Sequence, residues 1–140
     1  MSDSRRLKEK PQMPKALACG MLEDSGRVLF LERGDAHGVE RLEMPCIEVF
    51  PGEDPVQRLA VEFRRQTGID AQVHEIAYEG KHNAGSRKRK SWVPCLVFRV
   101  TAKSMRASPP PEFSGFRWLK PDEAKGMRLS RRSEWLARSP

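Results

Sequence analysis

Two stretches of this 140-residue chain concentrate side chains able to do chemistry. The first is Lys81 to Lys90, KHNAGSRKRK, where Lys81, Arg87, Lys88, Arg89 and Lys90 accompany His82. Guanidinium groups such as those of Arg87 and Arg89 grip phosphate oxygens through paired N–H donors, and lysines add point charge. Two readings stay open for this stretch: contact with the phosphates of a nucleotide, RNA or DNA, or a solvated hairpin tip kept charged for solubility. The clusters Arg5, Arg6, Lys8 and Arg128, Arg131, Arg132 add weight to the first. Trp92 and Trp118 offer faces on which a base can stack, although a tryptophan inside a strand more often serves the core. The second stretch holds Glu62, Arg65 and Gln66, which at i, i+3 and i+4 share one helical face. A carboxylate and a guanidinium so placed form an ion pair worth about a few tenths of a kcal/mol at an exposed site.

Other chemistries have no support in the residues. His37, His74 and His82 lack metal-ligand spacing, and there is no glycine-rich phosphate loop, Ser-His-Asp signature or zinc pattern. Cys19, Cys46 and Cys95 are odd in number, far apart and set in apolar segments, which points to buried reduced thiols.

The elements that must position these residues follow from punctuation and period. Lys15 to Leu22 and Arg27 to Arg33 read as strands joined into a hairpin by the turn Glu23-Asp24-Ser25-Gly26. Arg41 to Val49 reads as a strand interrupted by Pro45. A helix then starts at Asp54 as N-cap, with Pro55 at its first position and Gln57 where a capping-box partner belongs. Val56, Leu59, Ala60 and Phe63 make its apolar stripe, and Gly68 ends it in the left-handed conformation. Ile69 to Tyr78 and Ser91 to Thr101 are further strands, joined by a loop from Gly80 to Lys90. The Pro-rich Ser108 to Pro111 precedes a strand at Gly115 to Leu119, and Pro121 opens a last helical region ending at Arg131 to Arg138. Strands, a capped helix, more strands and a terminal helix predict an α+β or α/β/α architecture.

The length suits one domain, expected over residues 15–140 behind a basic flexible tail at 1–14. A net charge of +7 favours anionic partners without choosing among them. No apolar run approaches the roughly 18 residues that span a bilayer, and the N-terminus lacks the apolar core of a secretory signal. A soluble, cytoplasmic protein with no membrane partner is therefore expected; oligomeric state is not legible.

Pro45 to Ile69, PCIEVFPGEDPVQRLAVEFRRQTGI, resembles the Nudix box: a glycine, five residues, a glutamate, seven residues, then Arg-Glu-apolar-x-Glu-Glu-x-Gly-apolar. The spacing aligns without a gap. Glu53, Glu62, Phe63, Gly68 and Ile69 match, and Pro51-Gly52 stands before Glu53 as in many members. Ile47 replaces the box glycine, Val61 the arginine, and Arg65 and Gln66 the paired glutamates. With the flanking hairpin and the late FRWL strand, the resemblance covers about Lys15 to Arg138. It implies the MutT-like α/β/α sandwich with a mixed sheet.

In that family the helix glutamates hold a divalent metal that bridges diphosphate oxygens and helps generate a nucleophilic water. Mg²⁺ or Mn²⁺ is thus expected only if the chain is active, with Glu62 and Glu53 as the surviving catalytic and metal-binding candidates. Several oxygen ligands are needed, because Mg²⁺ binds one carboxylate weakly. A guanidinium about 5 Å from a divalent ion would repel it by roughly 6–7 kcal/mol at an effective dielectric of 20. Arg65 therefore opposes a standard site, and Val61 removes the arginine that orients the neighbouring glutamate. The resemblance with these departures implies a nucleotide- or nucleic-acid-phosphate-binding module with little hydrolase activity. Arg65, Gln66, Arg87, Lys88, Arg89 and Lys90 are its candidate ligand contacts. The alternative is an atypical pyrophosphohydrolase acting on nucleoside diphosphate-linked substrates, with Glu75, Glu79 or Glu112 as replacement carboxylates.

Overall fold

A computed structural model describes residues 12–140. The tail expected at 1–14 therefore lies, for residues 1–11, outside the described residues. The elements in chain order are β1 (Ala16–Asp24), β2 (Arg27–Gly34), β3 (Glu40–Glu43), β4 (Cys46–Val49), α1 (Pro55–Thr67), β5 (Ala71–Asn83), β6 (Trp92–Ala102) and β7 (Gly115–Leu119). Short helices α2 (Pro121–Lys125) and α3 (Trp135–Arg138) follow, separated by a 3₁₀ turn at Arg131–Ser133. The terminal helical region expected from Pro121 is thus three short pieces.

β1 organises the mixed sheet. It pairs parallel with β6 and antiparallel with β4, and β6 pairs antiparallel with the edge strand β5. β2 leaves β1 after two rungs, Glu23↔Val28 and Asp24↔Arg27, and pairs instead with β3 and β7. The expected hairpin is therefore joined at its turn alone, where Ser25 (φ 53°) and Gly26 (φ 81°) supply the two left-handed residues of a tight reversal. The strand expected at Arg41 to Val49 divides around Pro45, which lacks the N–H a continuous ladder needs, so β3 and β4 join different parts of the sheet.

Both faces of β1 are buried, and its side chains alternate between two layers of core. Leu17 and Cys19 pack with Phe30, Met44, Val97, Trp135 and Leu136 on the C-terminal side. Ala18 packs with Val49, Leu59 and Phe98, and Leu22 with Phe63, Ile69 and Val100, under α1. Gly20 lets the helix come this close, since a Cβ there would lie 2.7 Å from the Phe63 ring. Burying Leu59 and Phe63, both fully inaccessible, stabilises the layer by about 1.5–3 kcal/mol each.

The Asp54 carboxylate caps α1 by accepting from the Val56 amide at 3.0 Å, and Gly68 (φ 74°) closes it with its N–H on Arg64 O. The apolar stripe is displaced from the expected one: Val56 is exposed, and the buried face is Leu59, Phe63, Gln66 and Thr67. In the first turn Val56 stays 39% exposed, so burial of the helix begins at Leu59. Cys19, Cys46 and Cys95 are buried and free, with the Cys19 and Cys95 sulfurs 3.8 Å apart. Burial pushes the Cys19 thiol well above its ordinary pKa. Among the described residues no helix is long and apolar enough to cross a membrane.

Candidate functional site

The loop before α1 is held by Glu53. Its carboxylate accepts from the Phe50 amide at 2.8 Å and lies 3.5 Å from the Arg58 guanidinium. Its carbonyl accepts from Lys15 Nζ at 2.8 Å. Glu53 thus closes the turn in which Gly52 takes φ 88°.

About two turns into α1, Glu62, Arg65 and Gln66 converge as their spacing requires. Arg65 Nε donates to both Glu62 oxygens at 3.1 and 3.0 Å, and its Nη1 hydrogen-bonds Glu112. Gln66 is 2% exposed. Its Nε2 donates to Cys46 O at 2.8 Å and to Glu62 Oε2 at 3.1 Å, while its Oε1 accepts from Cys46 N at 3.3 Å. The amide thereby fastens α1 to β4 and presents no free group outward.

Further charges extend the cluster. Arg33 Nη2 lies 3.1 Å from Glu43 Oε2 and 3.7 Å from Glu112 Oε2, with its guanidinium 4.7 Å over the Phe113 ring. Glu43, almost fully buried, also accepts from Ser130 Oγ at 2.9 Å. Arg132 pairs with Glu48 at 2.9 Å. Four carboxylates and three guanidiniums thus form one charged cluster, in which the charges of Arg65, Arg33 and Arg132 all act on Glu112. The Arg65 hydrogen bond holds the Glu112 carboxyl below its usual range, with the charge of Arg65 and of Arg33 adding to the effect. Among the described residues no three His, Cys, Asp or Glu side chains gather to hold a metal ion.

Of these, Arg33, Glu43 and Glu48 carry no local signal in the sequence. Glu112 stands 47 residues from Arg65, and no period connects them.

Where Glu48 and Arg132 close the cluster, a polar cavity of about 250 Å³ is lined by these two with His82, Asn83, Ala84 and Arg131. Burial keeps the His82 pKa below its ordinary value, opposed by Glu48 and aided by Arg132 and Arg131. A second, apolar cavity of about 290 Å³ lies between the sheet and the C-terminal helices, where Tyr78 stacks on Trp135 at 5.6 Å. Lys125 Nζ donates to Ser139 O and Pro140 O at its edge.

The basic stretch sits elsewhere. β5 continues to Asn83, so Lys81, His82 and Asn83, expected in a loop, are strand residues paired with Pro94, Val93 and Trp92. Arg87, Lys88, Arg89 and Lys90 form the exposed reversal beyond them. The reversal is built by side chains: Asn83 Oδ1 accepts from Gly85 N at 3.0 Å and Ser91 N at 2.9 Å, and Ser86 Oγ accepts from Arg89 N at 2.8 Å. Trp92 is 50% exposed rather than core, and Trp118 is partly buried beside the core under α1.

The NUDIX domain family model matches residues 11–138. The chain belongs to the Nudix family. Solved structures share the fold at low identity. The MutT protein from Methanosarcina mazei Go1 superposes with a TM-score of 0.69 at 22% identity, over 93% of this chain and 94% of that one. A NUDIX hydrolase from Nitrosomonas europaea gives 0.68 at 15% identity, covering 89% and 86%. A C. elegans Ap4A hydrolase gives 0.61 at 15%, covering 87% and 92%. No curated protein matches the chain in sequence.

Proposed function

We propose that this Nudix domain is a module for a phosphate-bearing ligand, a nucleotide or the backbone of a nucleic acid, with little or no metal-dependent hydrolysis. The observation that carries the reading is the Arg65 guanidinium, fixed between Glu62 and Glu112. It stands where the family's box has the first of two paired glutamates. Both Glu62 oxygens are engaged by Arg65, Gln66 spends its amide on the Cys46 backbone, and Glu53 is tied to its own loop. A hard divalent cation asks for several free oxygen donors on one face. The donor set here does not fit that demand.

The arginines of the charged cluster give a phosphate little purchase, because each already meets a carboxylate. Four consecutive cations without a described ion-pair partner stand on the β5–β6 reversal, and there Arg87, Lys88, Arg89 and Lys90 are assigned the phosphate contacts.

One observation favours the second reading, an atypical pyrophosphohydrolase acting on nucleoside diphosphate-linked compounds. Glu62 and Glu112 face the same guanidinium, so a swing of Arg65 into solvent would leave two carboxylates opposed. The deciding experiment measures phosphate and pyrophosphate release from a nucleotide panel with Mg²⁺ and Mn²⁺, beside Glu62→Gln. No turnover is expected. Metal-dependent turnover that Glu62→Gln abolishes would replace the binding reading with the hydrolase.

A further inference from the structure

The outer face of the β5–β6 hairpin combines features that the charged cluster does not use. On it, Trp92 pairs across the ribbon with Asn83, and Pro94 with Lys81. The indole is half exposed although it sits in a strand. Arg138 holds it in place, its guanidinium 5.4 Å from the ring centroid and its Nη2 donating to Lys81 O at 2.8 Å. Beside the ring lies a cavity of about 390 Å³ lined by Glu79, Gly80, Lys81, Trp92, Val93 and Pro94. That volume falls among small-ligand clefts, roughly 300–1,000 Å³.

The cationic reversal follows directly beyond the Trp92–Asn83 rung. Lys88 is four residues from Trp92, so no more than about 14 Å of chain separates them. Among the described residues no carboxylate lies within ion-pair distance of Lys81, Arg87, Lys88, Arg89 or Lys90. The turn is also braced from behind, since Arg131 Nη2 donates to the carbonyls of Asn83 and Gly85.

We propose that this face, from the Arg87–Lys90 reversal to Trp92, is a platform for single-stranded nucleic acid. A ring held in place with a shallow groove beside it accepts the π-face of one base, and stacking of this kind tolerates any sequence. The cations take the adjoining phosphates. Glu79, at the groove end farther from the turn, repels phosphate and so directs the backbone toward the cationic end. A duplex offers the same phosphates but keeps its bases stacked inside, so it meets half of the site. The platform rests on the phosphate-binding reading above but not on the state of the metal site.

The test is fluorescence anisotropy of the full chain with labelled oligo-U, oligo-dT and a blunt duplex, at two or more salt concentrations. Either single strand should bind at least tenfold more tightly than the duplex, and the better of the two names the polymer. Trp92→Ala should weaken single-strand binding by about 5- to 150-fold. Trp92→Phe should restore most of it, which separates stacking from damage to the fold. Replacing Arg87, Lys88, Arg89 and Lys90 together with serine should flatten the log–log salt slope by about 3. Equal affinity for duplex and single strand, or no effect of Trp92→Ala, would overturn the platform while leaving phosphate binding standing. No binding to any polynucleotide would also overturn it, and binding of a mononucleotide would then decide separately whether the earlier reading survives.

Discussion

The charged cluster beside α1 and the hairpin reversal are both rich in arginine, and they treat its charge in opposite ways. In the cluster, Arg33, Arg65 and Arg132 each meet at least one glutamate, and Glu112 serves two of them. On the reversal, Arg87, Lys88, Arg89 and Lys90 stand exposed, and no described carboxylate pairs with them. Charge that is cancelled within the fold fixes the shape of a site, whereas uncancelled charge is left for a partner. The net charge of +7 is therefore a poor guide until each cation's neighbours are known.

Substitutions should separate the two regions by size of effect. The largest belongs to Gln66, whose removal leaves the Cys46 N–H and C=O without their partner in a buried place. Gln66→Ala should cost about 2–4 kcal/mol in urea unfolding, from lost packing and unsatisfied backbone groups together. A loss under about 0.5 kcal/mol would mean that the clamp between α1 and β4 is dispensable.

Arg65→Glu reverses the charge between Glu62 and Glu112 and should raise Mg²⁺ affinity by on the order of tenfold or more, read by calorimetric titration. An unchanged titration would sink the idea that this guanidinium opposes a cation.

Acid titration gives a smaller signal. Because the Glu112 carboxyl is held below its usual range, its contribution is fully present above the unfolded value of about 4.3 and fades as pH falls through the folded one. Glu112→Gln should flatten that acid limb by about a few tenths of a kcal/mol, since the group is partly exposed. A limb of unchanged steepness would place the acid sensitivity elsewhere.

At the bottom of the scale, Lys88→Ser should move stability by less than about 0.5 kcal/mol. A larger loss would show that the reversal has a structural duty after all, and would blunt the contrast between the regions.

The same contrast explains what the sequence makes legible. The cap at Asp54, the left-handed Gly68 and the i, i+3, i+4 meeting of Glu62, Arg65 and Gln66 depend on nearest neighbours along one helix, and all are present in the fold. The reversal at Arg87–Lys90 is equally local. What escapes is the partner brought in by topology: Glu112 for Arg65, the Cys46 backbone for Gln66, Glu48 for Arg132. Exposure is misjudged for a related reason. Val56 fits the apolar period but stays exposed in the first turn of α1, and Trp92 fits a strand but is half exposed at that strand's first residue. Period reports which side chains share a face, and only the assembled layers decide whether that face is covered.

The central strand has a consequence for how the chain comes to be folded. β1 is among the first described segments to be synthesised, yet its parallel ladder with β6 begins at Cys95, 78 residues after Leu17 in their shared rung. Helix α1 and the β5–β6 hairpin close through near neighbours and can form early. β1 cannot be seated between β4 and β6 until the chain as far as Ala102 has left the ribosome, a further stretch that at about 5–20 residues per second leaves its apolar ALACGML exposed for several seconds or more. The strand that is most buried in the finished molecule thus has to wait for shelter from the second half of the chain.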